Sequence, residues 1–205
     1  MNNKSNIVGI ILAAGEGSRM GAVKQLLPFR GKTVLQWVID NSLNSSLQKV
    51  TVVLGHRADL IEPLITGKAL QVVINSDYQQ GQSSSIKAGL RALPEGTEAV
   101  MFMLGDQPLV TPETINVLLN SYHESGAPIV LPVFKGVRGN PVIFSQETFR
   151  QLELLDGDCG GRSLFQEYVG RILQVPVDDP YVRFDLDTEE DYRRLCELET
   201  EKLNC

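Results

Sequence analysis

The segment Leu12-Ala13-Ala14-Gly15-Glu16-Gly17-Ser18-Arg19-Met20-Gly21, with Lys24 three residues on, joins three glycines to two cations. Gly15, Gly17 and Gly21 expose backbone N–H groups where no Cβ obstructs a ligand, a geometry that suits phosphate oxygens. Arg19 and Lys24 add the charge. Neither of two familiar nucleotide motifs fits: the third glycine comes one place late for a dinucleotide fingerprint, and Leu26 stands where a phosphate-binding loop ahead of Gly31-Lys32-Thr33 needs glycine. Gly105-Asp106-Gln107-Pro108 follows an apolar run, and an acid at the carboxyl end of a parallel strand lies where such folds bind ligands. A carboxylate facing a triphosphate needs a hard cation between them, and Mg²⁺ is the candidate; a plain helix cap is the other reading. In Phe184-Asp185-Leu186-Asp187-Thr188, strand alternation puts Asp185 and Asp187 on one face, and with Asp106 they can form a carboxylate cage, unless they are exposed or capping.

Three weaker groups complete the set. Gly81, Gln82, Ser83, Ser84 and Ser85 lead into a helix, where their hydroxyls and amides can bind a base, a sugar or a phosphate, or simply cap. Arg138-Gly139-Asn140-Pro141 and residues 158–162 offer a cation and glycine flexibility, as a substrate loop or an ordinary turn does.

These residues need strands and helices to position them, and the two alternate along the chain. Residues 7–12 form a continuous apolar run suited to a parallel strand covered on both faces, and residues 50–54, 72–74 and 100–104 read as further strands. Between them, Val34, Leu35, Val38, Ile39 and Leu43 recur at helical spacing behind a Thr33 cap. Leu60, Ile61 and Leu64 mark a brief helix, and Ile86, Leu90 and Leu93 a third, capped by Ser83 or Ser84. Thr111-Pro112-Glu113 opens a helix that buries Ile115, Leu118, Leu119 and Tyr122. Beyond residue 125 the reading is strands at 129–134 and 141–144 as an antiparallel pair, a helix through Leu164, Phe165 and Tyr168, strands at 172–175 and 184–186, and a terminal helix begun by Thr188. The alternation predicts an α/β fold with a mainly parallel central sheet, as one domain over residues 1–205.

Composition narrows the partners. Nineteen basic residues against twenty-five acidic ones leave a net charge of −6 with no Lys/Arg block, so neither nucleic acid nor a membrane surface is an expected partner. The start carries no apolar secretory run, and Cys159, Cys196 and Cys205 form no CxxC pair; both point to the reducing cytoplasm.

Taken in order, residues 12–21 with Lys24-Gln25-Leu26-Leu27-Pro28, residues 81–85, Gly105-Asp106-Gln107-Pro108, Arg138-Gly139-Asn140-Pro141 and Asp185-Leu186-Asp187-Thr188 resemble the MobA-like nucleotidyltransferases. Within them the molybdenum cofactor cytidylyltransferase branch is most similar. The resemblance spans about residues 7–195. It implies a three-layer α/β/α GT-A-like fold and transfer of CMP, or GMP, from an NTP to the phosphate of molybdopterin, with pyrophosphate released. CTP and a molybdopterin-type substrate are thus the implied partners, with transient contact to a molybdoenzyme. The same resemblance implies a nucleotide site of Leu12, Ala13, Ala14, Gly15, Gly17, Ser18, Arg19, Lys24, Gly81, Ser83, Ser84 and Asp106. Arg19, Lys24 and Asp106 would be catalytic; Asp106 with Asp187 or Asp185 would ligate Mg²⁺. Gln82, Gln107, Pro108, Arg138 and Asn140 would meet the second substrate. A single glycine after Ala13-Ala14 resembles the cytidylyl pattern; guanylyl relatives carry two. One departure is Gly139-Asn140-Pro141, where the cytidylyl branch commonly has Gly-His-Pro. Isoprenoid-pathway cytidylyltransferases share the glycine loop but differ at Gly105-Asp106-Gln107-Pro108.

Overall fold

The structure, a computed structural model, describes residues 6–17 and 22–203, with the side chains of residues 199–203 outside the description. Ser18, Arg19 and Cys205 lie outside the described residues.

In chain order the strands are β1 (Ile7–Ala13), β2 (Pro28–Phe29), β3 (Lys32–Thr33), β4 (Lys49–Leu54), β5 (Gln71–Ile74), β6 (Ala99–Leu104), β7 (Ile129–Phe134), β8 (Val137–Arg138), β9 (Val142–Ser145) and β10 (Ile172–Pro176). The helices are α1 (Val34–Leu43), α2 (Ala58–Ile65), α3 (Gln82–Arg91), α4 (Pro112–Ser125), α5 (Phe149–Glu153) and α6 (Glu189–Leu203). The main sheet runs β10-β7-β9-β6-β1-β4-β5, with β8 paired to β7. β1 lies parallel between β4 and β6, so Ala13 pairs Leu54 and Leu12 pairs Leu104 at one shared carboxyl edge. The 129–134 and 141–144 runs do pair antiparallel. Their β9 also enters the main sheet against β6, so the sheet is mixed rather than flanked by a separate hairpin.

Both faces of β1 are covered, as its apolar run requires. Ile7, Ile11 and Ala13 pack toward α1, α2 and α4 through Leu35, Ile61 and Leu118. Val8 and Ile10 face the opposite layer, built around Ile86 and Leu90 of α3 and Leu152 of α5. The layers are therefore α/β/α. A third cluster joins Phe29 and Val34 to Leu186 and Leu195, which ties α6 and the chain before it to the β2–β3 hairpin.

Helix starts follow local chemistry. Thr33 accepts from the Gln36 amide while the Gln36 side chain accepts from the Thr33 amide, a reciprocal cap, and Thr111 accepts from Thr114 ahead of Pro112. Four sequence expectations need correction. α3 begins at Gln82 with Gly81 as its cap residue, so Ser83 and Ser84 sit inside the first turn, and Leu93 lies beyond the helix end. In α2 the buried residues are Ile61 and Ile65, while Leu60 and Leu64 face out. The glycine-rich 157–161 stretch leads into a five-residue 3-10 turn, Gly161–Phe165, in place of a helix through Tyr168. Residues 184–186 form no strand; the in-and-out pattern there comes from Leu186 anchored in the third cluster, with no ladder partner.

Candidate active site

The carboxyl edge of β1 and β6 opens into a cavity of about 870 Å³. Leu12, Ala14, Gly15 and Gly17 line it from the β1 loop, Leu104 and Asp106 from β6, and Gly81, Gln82 and Ser85 from the start of α3. Gly105 makes this meeting tight: a Cβ there would lie 2.8 Å from the Ala13 Cβ. The space is within the range of small-molecule sites, roughly 300–1,000 Å³.

Lys24 sits in a 3-10 turn, Lys24–Leu26, and is only 8 % exposed. Its Nζ donates to Asp187 Oδ1 at 2.5 Å and lies 3.6 Å from Asp106 Oδ2. The ammonium thus bridges one carboxylate from the middle of the chain and one from near its carboxyl end. Asp187 is brought there by Leu186 in the third cluster and by the cap of α6, where the Asp187 and Thr188 amides both donate to Asp191. The same contacts hold the Asp191 carboxyl below its ordinary range, the Thr188 hydroxyl contributing most. Burial pushes the Asp106 carboxyl up to about 6; Lys24 opposes the rise, while Asp185 and Asp187 add to it.

A second cavity of about 230 Å³ adjoins the first, sharing Leu12, Gln82 and Leu104. Phe102, Phe144, Ile86 and Val142 give it an apolar wall; Asn140, Arg162, Ser163 and Asp185 give it a polar one. Asp185 accepts a 2.7 Å hydrogen bond from Gln107 Nε2. Its carboxyl stands above the ordinary range through partial desolvation, which that hydrogen bond and Arg162 counter.

The structure therefore separates the acids that strand alternation would group. Asp106 and Asp187 line the first cavity and Asp185 the second, because residues 184–188 are not a strand. Among the described residues, no cluster of three or more His, Cys, Asp or Glu could hold a metal ion. Nor do Pro108 and Arg138 line either cavity. Pro108 faces a separate hollow beside Trp37, and exposed Arg138 lies over the Phe165 ring at 5.5 Å. Gln107 is buried and turned to Asp185, and Asn140 reaches the second cavity. Ser83 is buried, and the Ser84 hydroxyl donates to the Gly81 carbonyl.

At α3 the free helix terminus is already met by an acid. The Gln82 amide donates to Asp158 Oδ1 at 3.4 Å and the Ser83 amide to the Gly157 carbonyl at 3.2 Å. Asp158 and Glu16 add negative charge to the lining of the first cavity, opposite to what phosphate needs, whereas Lys24 contributes a cation. Sequence reasoning passes over Tyr78 as a lining residue. Its signal is faint, an aromatic three positions ahead of Gly81, and only the tight approach of Gly55 to Tyr78 and Ala14 seats it at the cavity.

The α/β/α layering around a mostly parallel sheet is the fold of GT-A-like nucleotidyltransferases, the class in which the similar proteins fall. The chain belongs to the MobA-like NTP transferase domain family, which matches residues 9–181. It is 30 % identical to the molybdenum cofactor cytidylyltransferase of Escherichia coli, covering 94 % of this chain and 96 % of that protein. It is 29 % identical to the purine catabolism protein PucB of Bacillus subtilis, covering 91 % and 94 %. The crystal structure of Rv0371c from Mycobacterium tuberculosis superposes with a TM-score of 0.86 at 31 % identity, covering 94 % and 98 %. A second structure of that protein is a complex with manganese, at TM-score 0.81 and 29 % identity over the same shares. No helix among the described residues is long and apolar enough to cross a membrane.

Proposed function

We propose that this enzyme is a Mg²⁺-dependent cytidylyltransferase that moves CMP from CTP to the phosphate of a molybdopterin-type acceptor and releases pyrophosphate. The observation that carries this reading is the Lys24 bridge between Asp106 and Asp187, in the larger of two adjoining cavities. The larger cavity suits a nucleoside triphosphate, and the smaller, with an apolar wall facing amides, Arg162 and Asp185, suits a flat polar heterocycle. Similarity to the E. coli cytidylyltransferase supports the acceptor and the base, and the manganese complex of Rv0371c supports a divalent ion.

The residues present fit Mg²⁺. That ion takes oxygen ligands and is commonly held by one or two carboxylates, with substrate phosphates and water completing the set, so a three-acid cage is not needed. Asp106 and Asp187 would be those carboxylates, and their shared contact with the Lys24 ammonium supports a position that favours positive charge. When bound, the ion supplies charge neutralisation at the phosphates.

The reaction is an in-line attack by an acceptor phosphate oxygen on the α-phosphorus: one P–O bond forms, the bond to the β-phosphate oxygen breaks, and pyrophosphate leaves with the electron pair. A phosphate nucleophile is ionised at neutral pH, so no general base is required. Two anions must meet, and the protein's task is positioning and charge screening. Lys24, held in place by its two acids, screens the charge that develops as the leaving group departs.

The test is pyrophosphate release from each NTP with Mg²⁺ and molybdopterin. CTP should be preferred. Asp106→Ala should lower kcat by roughly 10²–10³ with the circular dichroism spectrum unchanged. Near-normal turnover of that variant sinks the assignment. Comparable similarity to PucB favours one other reading, the same transfer to another phosphorylated acceptor, and a panel of sugar and alditol phosphates distinguishes it.

A further inference from the structure

Gln107 stands next to Asp106 at the end of β6, and the two side chains serve different cavities. Asp106 lines the larger one; Gln107, 3 % exposed, turns instead toward residue 185. Its Nε2 lies 2.7 Å from Asp185 Oδ1, and Asp185 lines the smaller cavity together with Asn140 and Arg162. A carboxylate only accepts hydrogen bonds, so this contact fixes which end of the Gln107 amide faces it. The donor is neutral, so it orients Asp185 without adding a second cation to the Arg162 that already lines the same cavity. Among the described residues, Gln107 is the side chain that hydrogen-bonds Asp185; the chain at 184–188 has no ladder partners, and Leu186 anchors the backbone between the two acids.

The geometry points to Gln107 as a positioning residue that aims the Asp185 carboxylate into the smaller cavity, where it selects heterocyclic acceptors presenting N–H donors. The inference rests on the proposed two-cavity transfer and adds to it the group that discriminates among acceptors.

The experiment is a double-mutant cycle on the full chain, using Gln107→Met, which keeps the volume and removes the donor, and Asp185→Asn. Two readouts are taken: binding of a free, fluorescent 2-amino-4-oxopteridine, and KM and kcat for cytidylyl transfer to molybdopterin. Each single variant should weaken pteridine binding and raise the acceptor KM about tenfold, the effect of losing one charge-assisted hydrogen bond. KM for CTP should stay within about twofold, since neither side chain lines the larger cavity. The double variant should be no worse than Asp185→Asn alone, because Gln107 acts only through that acid. Additive losses, unchanged pteridine binding in Gln107→Met, or absence of pteridine binding in the unmodified protein would each overturn the inference. Should Gln107→Met fail to fold, Gln107→Leu and the Asp185→Asn arm decide the same question. Pteridine binding that depends on both residues, with no cytidylyl transfer, would instead sink the proposed reaction and leave the inference standing.

Discussion

At Asp106 burial of a carboxyl carries an energetic cost. Its carboxyl is pushed up to about 6 chiefly by burial, whereas an unfolded chain releases that proton near the ordinary 3.8. The folded state therefore holds the proton more tightly, and stability falls as pH rises from about 4 to about 6 before levelling off. Above that range the ionised acid opposes folding by on the order of 2 kcal/mol, allowing for its 22 % side-chain exposure. Asp106→Asn should accordingly raise Tm in EDTA by roughly 5 °C at pH 8 and hardly at all at pH 4, while lowering kcat as Asp106→Ala does. Melting curves at the two pH values check this; an equal shift at both refutes burial as the cause. Residues of this kind were legible in the sequence because a lone acid closing an apolar strand is conspicuous. Their partners were not: Lys24 meets Asp187 across 163 positions, and no local spacing announces such a pair.

Elements whose ends carry their own chemistry are legible in the sequence, and those set by distant packing are not. α1 and α4 start at Thr33 and Thr111, where a hydroxyl meets an amide three residues on. α3 starts at Gly81, whose φ of +96° and close approach to Gly157 no neighbour in sequence reveals. Likewise the alternation at 184–187 imitates a strand because Leu186 alone must be buried. Two substitutions contrast these cases. Thr33→Ala should cost about 1 kcal/mol of stability and leave KM for the NTP unchanged. Gly81→Ala should cost about 3 kcal/mol, since its Cβ would lie 2.5 Å from the Gly157 carbonyl in a backbone region that disfavours side chains, and should also raise KM for the NTP by displacing the cavity wall. Denaturant titration together with initial-rate kinetics separates the two outcomes.

Across the molecule, the alternation of apolar runs and helical stripes gives a layered α/β fold with a mainly parallel sheet, and the order of strands is what it withholds. Only the assembled sheet shows that β1 and β6 end side by side and that β9 slots between β6 and β7. Pairing of that kind depends on contacts between residues far apart in the chain. If the larger cavity takes a triphosphate with a divalent ion, the fold should gain from both together. CTP at about one hundred times its Kd, with Mg²⁺, should add roughly 2.7 kcal/mol, and Asp187→Asn should remove most of that gain. A thermal-shift series with and without EDTA measures it.

Because Leu12, Gln82 and Leu104 form a party wall between the chambers, a finished dinucleotide would straddle it and keep both grips at once. Each half then rebinds before the other lets go, so the product departs more slowly than either precursor arrived. Rapid-quench sampling should accordingly reveal a stoichiometric burst on the first cycle, followed by a slower steady rate paced by unloading.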